Sequence, residues 1–175
     1  QFQYPLKSVG SHFQLTYCAL TNHTYYFHRL DLFSAKVFLV QHQIELPADA
    51  TVVLVENTNT ALAHLACAFY GHPSKELTLV GVTGTNGKTT TATLLHDLFS
   101  QLGFYCGLLS TVVNKIGTQA IAATHTTPDP VALNSLLRDM VTAGCQYCFM
   151  EVSSHAIDQG RIGGLHFAAA GFTNI

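Results

Sequence analysis

Eight consecutive residues, Thr83-Gly84-Thr85-Asn86-Gly87-Lys88-Thr89-Thr90, have the make-up of an anion cradle. Glycines adopt the backbone angles that turn N–H groups inward and leave room for a phosphate. Lys88 can reach the outer phosphates of a nucleotide, and the Thr89 hydroxyl can ligate Mg2+. The strict P-loop pattern wants a further glycine at position 82, where this chain has valine. The stretch is therefore a nucleotide site of another kind or a glycine-rich turn, and its flanks must decide. An apolar run, Leu77 to Val82, leads into it, and a helical pattern leaves it, which is the context a phosphate site requires.

Phosphoryl transfer also needs an acid that holds the metal opposite the loop. Glu151 ends the apolar run Gln146 to Val152, where an unpaired carboxylate would be costly. A cation there explains it economically; a carboxylate satisfied by backbone or lysine is the other reading. His125-Thr126-Thr127-Pro128-Asp129-Pro130 puts two hydroxyls just before a helix start, either as a second anion position or as a plain cap and turn. Ser153 to Arg161 gathers Ser153, His155, Gln159 and Arg161 in one segment. No G-x-S-x-G elbow accompanies the serine, so polar substrate contacts are a better reading than a Ser/His nucleophile pair.

Positioning such residues takes alternating strands and helices. Thr51 to Val55 is a β-branched run suited to a buried strand. Asn59 or Thr60 can cap a helix through Tyr70, with Gly71 at the stop position. Gly71 to Lys75 reads as a linker and places a domain boundary between residues 73 and 74. After the loop, Leu94, Leu95, Leu98, Phe99 and Leu102 recur at helical spacing up to Gly103. Tyr105 to Val113 reads as extended. Leu133, Leu136, Leu137, Met140 and Val141 form one helical stripe ended by Gly144. A short helical segment follows from Ser154, and Phe167 to Phe172 reads as a last strand. The fold class is α/β, a mostly parallel sheet with helices on both faces. Each chemically interesting stretch follows a strand, and such sheets bind ligands at the carboxyl ends of their strands.

Hydrophobic residues make up 48% of the 175 and charged ones 10%, against a usual charged share of roughly 25%. Core material is ample. A net charge of −2 offers no general field for nucleic acid. No apolar run approaches the roughly 20 residues of a membrane helix, and no signal peptide is visible. The five cysteines, Cys18, Cys67, Cys106, Cys145 and Cys148, are odd in number and widely spaced, which predicts reduced thiols in a cytoplasmic protein. Cys145 and Cys148 form a lone C-x-x-C leading into a strand and read as small buried residues. His23, His28, His42, Tyr25 and Tyr26 fit no metal-ligand spacing.

The loop TGTNGKTTT, the segment HTTPDP, and EVSSHAIDQGRIGGLHFA followed by FTNI closely resemble the Mur ligases, and among them the UDP-N-acetylmuramoyl-tripeptide synthetase type. The resemblance covers roughly residues 46 to 175. In this family the earlier glycine stands three before Gly87, at Gly84, which implies an ATP site. The resemblance implies an ATP- and Mg2+-dependent amide ligase of peptidoglycan precursor synthesis. It would join an amino acid to UDP-N-acetylmuramoyl-L-alanyl-D-glutamate through an acyl phosphate, as a cytoplasmic monomer. It further implies that Gly84, Thr85, Asn86, Gly87, Lys88, Thr89 and Thr90 bind ATP, with Lys88 and Glu151 catalytic and Thr89 and Glu151 serving Mg2+. Thr126, Thr127, Ser153, Gln159 and Arg161 match positions holding the UDP-sugar peptide, with His125 and His155 as weaker candidates; some members have asparagine where His125 stands.

On this resemblance residues 1–73 are a remnant of an N-terminal UDP-sugar domain and residues 74–175 the first part of an ATP-binding central domain. Residues 1–45 lack the family's Asp-Ser-Arg stretch and do not read like it, which suggests an altered frame there. The family's DHLDYH-like segment, carbamylated lysine and C-terminal domain are not in this sequence. A fragment is expected, incompetent for full turnover alone. Folylpolyglutamate- and cyanophycin-type ligases share the loop, but HTTPDP and SSHAIDQGR favour the muramyl substrate. A catalytically inactive nucleotide-binding remnant is the alternative from another class. A generic P-loop switch lacks its guanine-reading N-K-x-D.

Overall fold

A computed structural model describes residues 37–43, 48, 51–123 and 125–174. The chain divides into two compact units, Gln1–Thr58 and Asn59–Ile175. In the first, β1 (Val37–Val40) and β2 (Thr51–Leu54) pair in parallel. Thr58 Oγ1 donates to Gln41 Oε1 at 3.0 Å beside them. The Thr51–Val55 run was expected to be buried, yet all four residues of β2 are exposed. Its β-branched residues favour extended backbone, but β2 sits in a two-stranded sheet, and burial needs a layer on the sheet face that local propensity does not supply.

In the second unit, after α1 (Thr58–Phe69), the elements run β3 (Thr78–Thr83), α2 (Lys88–Gln101), β4 (Cys106–Leu109), β5 (Val113–Ile116), β6 (Gln119–Ala122), α3 (Pro130–Thr142), β7 (Tyr147–Glu151), α4 (Ser154–Asp158) and β8 (Ala169–Phe172). The six strands stand in the order β6-β5-β4-β7-β3-β8. β4, β7, β3 and β8 are parallel, and β5 and β6 are antiparallel additions at one edge. The fold class is the expected one, a mostly parallel sheet with helices on both faces.

Alternation along each strand divides the core into two layers. Leu79, Leu109 and Met150 pack with Leu133, Leu137 and Met140 of α3. Val82, Leu108 and Phe149 face the other way, against Ala92, Leu95 and Phe99 of α2. Leu94, Leu98 and Leu102 of the expected α2 stripe are exposed instead. The inward face is set by Ala92 and His96, because the sheet takes only one side of the helix.

The extended run expected over 105–113 is two strands and a turn. Ser110 Oγ donates to Val113 O at 2.6 Å and Ser110 N–H donates to Asn114 Oδ1 at 3.2 Å, reversing the chain into the β5–β6 hairpin. These side-chain bonds give the backbone an alternative to a continued ladder. The stretch read as a linker is a short 3-10 turn, Pro73–Lys75, with Pro73 and Ser74 buried. Arg138 of α3 donates to Tyr70 O at 2.8 Å and Gly71 O at 3.1 Å, tying the residues just after α1 to α3. Among the described residues no helix is long and apolar enough to cross a membrane.

Candidate functional site

The chain leaves β3 at Thr83 and enters α2 at Lys88, so the glycine loop lies at the carboxyl end of a central parallel strand. Gly84 (φ 132°) and Gly87 (φ 83°) both hold left-handed angles, which side chains rarely adopt. A Cβ at Gly84 would collide with Thr173 Oγ1. The first amides of α2 have no carbonyl partner within the helix, and its positive end faces the loop. Lys88 Nζ donates to Gly84 O at 2.8 Å and Thr85 O at 3.1 Å, lying across the loop it would serve.

The strand order brings other residues to this point. Glu151, at the end of β7, is buried and paired in register with Val82 of β3. Thr89 Oγ1 donates to Glu151 Oε2 at 2.9 Å. Thr111, just beyond β4, donates its backbone N–H to Oε1 at 2.8 Å, and its hydroxyl lies 3.2 Å from Oε2. Among the described residues the carboxylate is held by neutral donors, with no lysine or arginine paired to it. Mg2+ binds hard oxygens, commonly one or two carboxylates with phosphate oxygens completing the shell, at about 2.1 Å. Neighbouring ligands of such an octahedron stand about 3 Å apart, the spacing of Thr89 Oγ1 and Glu151 Oε2. The residues present fit the ion. Thr111 was not singled out in the sequence; its only signal is a hydroxyl after a strand end.

These groups line one cavity of about 500 Å3, which also takes in Thr85, Thr126, Ser153, His155 and Asn174. Thr126 Oγ1 lies 3.1 Å from Thr111 Oγ1. Ser153 caps α4, accepting from Ala156 N–H at 3.2 Å. Thr127 is fully buried; its hydroxyl donates to Glu151 O at 3.0 Å and accepts from Ser153 N–H at 3.1 Å. Its side chain thus ties the end of β7 to the loop before α3 and does not line the cavity. His125, Asn86, Gly87 and Thr90 are exposed. Gln159 and Arg161 line a second, smaller cavity of about 130 Å3 together with Asp129 and Leu62. Arg161 donates to Thr127 O at 2.9 Å and to Gln159 Oε1 at 2.8 Å. The residues expected to hold one substrate are split between two adjoining depressions joined through Thr127 and Arg161.

Asp129 caps α3 as its sequence implies, accepting from Val131 and Ala132 N–H at 3.0 and 3.1 Å. Cys67, Cys106, Cys145 and Cys148 are free and buried. Burial pushes the Cys145 and Cys148 thiols up, which keeps them protonated. Among the described residues no cluster of three His, Cys, Asp or Glu side chains is placed to hold a metal. His42 is exposed; Cys18, His23, Tyr25, Tyr26 and His28 lie outside the described residues.

Residues 82–175, more than half of the chain, match the family model of the Mur ligase middle domain. This chain belongs to the Mur ligase family. The matched span opens on Val82, one residue before the loop, and takes in every strand end that builds the cavity. Among relatives, a UDP-N-acetylmuramoyl-L-alanyl-D-glutamate--2,6-diaminopimelate ligase of Cytophaga hutchinsonii is 59% identical over 133 residues, 76% of this chain and 27% of its own length. The ligase of that name from Clostridium perfringens is 40% identical over 141 residues, 81% of this chain and 29% of its own. The solved structure of a ligase with this name superposes with a TM-score of 0.65 at 25% identity, covering 78% of this chain and 27% of that one. The chain thus spans just over a quarter of the relatives it matches.

Proposed function

We propose that this chain carries the nucleotide-binding part of an ATP-dependent amide ligase of peptidoglycan precursor synthesis. The amino acid 2,6-diaminopimelate would be joined to the D-glutamyl carboxylate of UDP-N-acetylmuramoyl-L-alanyl-D-glutamate, the pair of substrates in the names of its relatives. The observation that carries the reading is the approach of Thr89 Oγ1 to Glu151 Oε2 at 2.9 Å beside the open end of α2. Two hard oxygens and a helix N-terminus meet where a nucleotide's phosphates would lie.

In the ligase reaction a substrate carboxylate oxygen attacks the γ-phosphorus, and ADP leaves with the electrons of the broken P–O bond. The amine nitrogen then attacks the acyl phosphate carbon, phosphate leaves, and the nitrogen loses a proton. The first step brings anions together, so charge must be neutralised. Lys88 would leave the Gly84 and Thr85 carbonyls for the γ-phosphate, and the first amides of α2 would hold the β-phosphate. Glu151 and Thr89 would hold Mg2+, which when bound supplies further positive charge to the phosphate oxygens. Thr126, Ser153 and His155 would face the muramyl peptide in the same cavity, with Gln159 and Arg161 holding its further end. Buried free thiols agree with a cytoplasmic site of action, and we take the working unit to be a monomer.

Titration of the chain with ATP and MgCl2 by calorimetry tests this. Saturable binding lost at least about a hundredfold in Lys88→Ala is expected, from removal of a charge-assisted contact in a preorganised site. Equal affinity in the variant would remove Lys88 and the loop from the nucleotide site.

A further inference from the structure

The loop's outer turn is held by residues that follow β8, far away in sequence. Thr173 N–H donates to Thr83 O at 2.9 Å, extending the β3–β8 ladder past its last paired residues. Thr173 Oγ1 lies 2.6 Å from Asn86 O and 3.2 Å from Thr83 O. Asn174 O accepts from Thr85 N–H at 3.1 Å. The Asn174 side chain then grips both main-chain groups of Asn86: Oδ1 accepts from its N–H at 2.9 Å, and Nδ2 donates to its carbonyl at 3.3 Å. Gly84 is the residue beneath this strap, with no room for a Cβ against Thr173 Oγ1 and the Asn174 backbone.

A loop with two left-handed glycines loses much conformational freedom when ordered. Something must hold it before an anion arrives, or the anion's own binding energy is spent ordering it. The strap takes the N–H groups of Thr85 and Asn86 out of use and leaves those of the first turn of α2 free of helical partners. It therefore decides which amides of the loop can face a phosphate.

We infer that Asn174, assisted by Thr173, is a positioning residue for the phosphate loop, acting on nucleotide affinity through Thr85 and Asn86 and not by contact chemistry of its own. The inference rests on the nucleotide reading above. A primary amide suits the task because it offers one acceptor and one donor on the same plane, matching the N–H and C=O of a single residue. Aspartate can accept but not donate, and alanine can do neither.

The test uses the whole chain with two readouts. Calorimetry gives ATP–Mg2+ affinity for wild type, Asn174→Ala, Asn174→Asp, Thr173→Val and Thr173→Ser. Amide hydrogen exchange without nucleotide reports Thr85 and Asn86, with Leu95 to Phe99 of α2 as internal reference. We expect Asn174→Ala to bind about tenfold more weakly and Asn86, whose N–H loses its side-chain acceptor, to exchange about tenfold faster, from the loss of roughly one net hydrogen bond. Thr85 N–H keeps the main-chain carbonyl of residue 174 and should change less. The α2 reference amides should keep their protection, which separates loop positioning from general destabilisation. Asn174→Asp should not rescue affinity, and Thr173→Ser should match wild type where Thr173→Val does not. Wild-type affinity and unchanged loop exchange in Asn174→Ala would overturn the inference. If wild type itself binds no ATP, the nucleotide reading fails and the affinity role falls with it; faster exchange in the variant would then mark a loop strap only.

Discussion

Thr111 holds both oxygens of Glu151, its backbone N–H 2.8 Å from Oε1 and its hydroxyl 3.2 Å from Oε2. The carboxylate is fixed in one plane between the ends of β4 and β3, with Thr89 on its second oxygen. As the proposed Mg2+ ligand, a carboxylate aimed in this way would need little reorganisation on binding the ion. Thr111→Val keeps the N–H and the shape but removes the hydroxyl. We expect the gain in ATP affinity on adding Mg2+ to shrink by about three- to tenfold, the net value of one ordinary hydrogen bond. The same gain in wild type and variant would leave Thr111 without this role.

Glu151→Gln keeps the side-chain volume and removes the charge. Its amide nitrogen cannot accept, so one of the three donors around Glu151 loses its acceptor, at a cost of about 1–3 kcal/mol in stability. The larger consequence is for the metal: Mg2+ should no longer improve ATP binding, while weak metal-free binding through the loop persists. Calorimetry with MgCl2 and with EDTA, beside urea unfolding, checks both expectations. A full Mg2+ effect in the variant would take Glu151 out of the metal site.

Arg138 joins three groups: the Tyr70 carbonyl just after α1, the Gly71 carbonyl, and Glu76, whose Oε1 lies 2.6 Å from Nη2. The hydrogen bond from Arg138 holds the Glu76 carboxyl below the usual carboxylate range. A depressed carboxylate adds stability above its unfolded value, about pH 4.3, and loses it as the pH falls through the lower folded value. Asp97, held low by His96 and then by Lys115, acts in the same direction. Thermal unfolding of Glu76→Gln between pH 7 and pH 2.5 should therefore show a shallower acid decline than wild type. Arg138→Lys keeps the charge but loses the fork that serves two carbonyls at once; a loss of about 1 kcal/mol at pH 7 is expected. Identical acid limbs for Glu76→Gln and wild type would deny the pair any part in stability.

Much of the site was legible because its signals are local. Gly84, Gly87, Lys88 and Thr89 act through a turn and the helix that follows, so their spacing alone carries the geometry. Glu151 stood out as an acid at the end of an apolar strand, and Asp129 as a cap before Pro130. The strands β3 and β7 and the helices α2 and α3 were readable for the same reason, since each has its own period and its own stop.

Sequence by itself thus determined the glycine loop between β3 and α2, the acid at the end of β7 and the mostly parallel α/β class, all consequences of interactions within a few residues or of strand-length patterns. Tertiary structure alone decided that Thr111, 40 residues from Glu151, aims the acid, and that Asn174, 88 residues from Asn86, braces the cradle. It also decided which side of α2 is buried, how β2 is exposed, and that Gln159 and Arg161 open into a depression apart from Lys88. The Thr111–Glu151 and Asn174–Asn86 contacts depend on the strand order β4-β7-β3-β8, which sets distant strand ends side by side. No period or spacing along one segment encodes which other segment lies next to it.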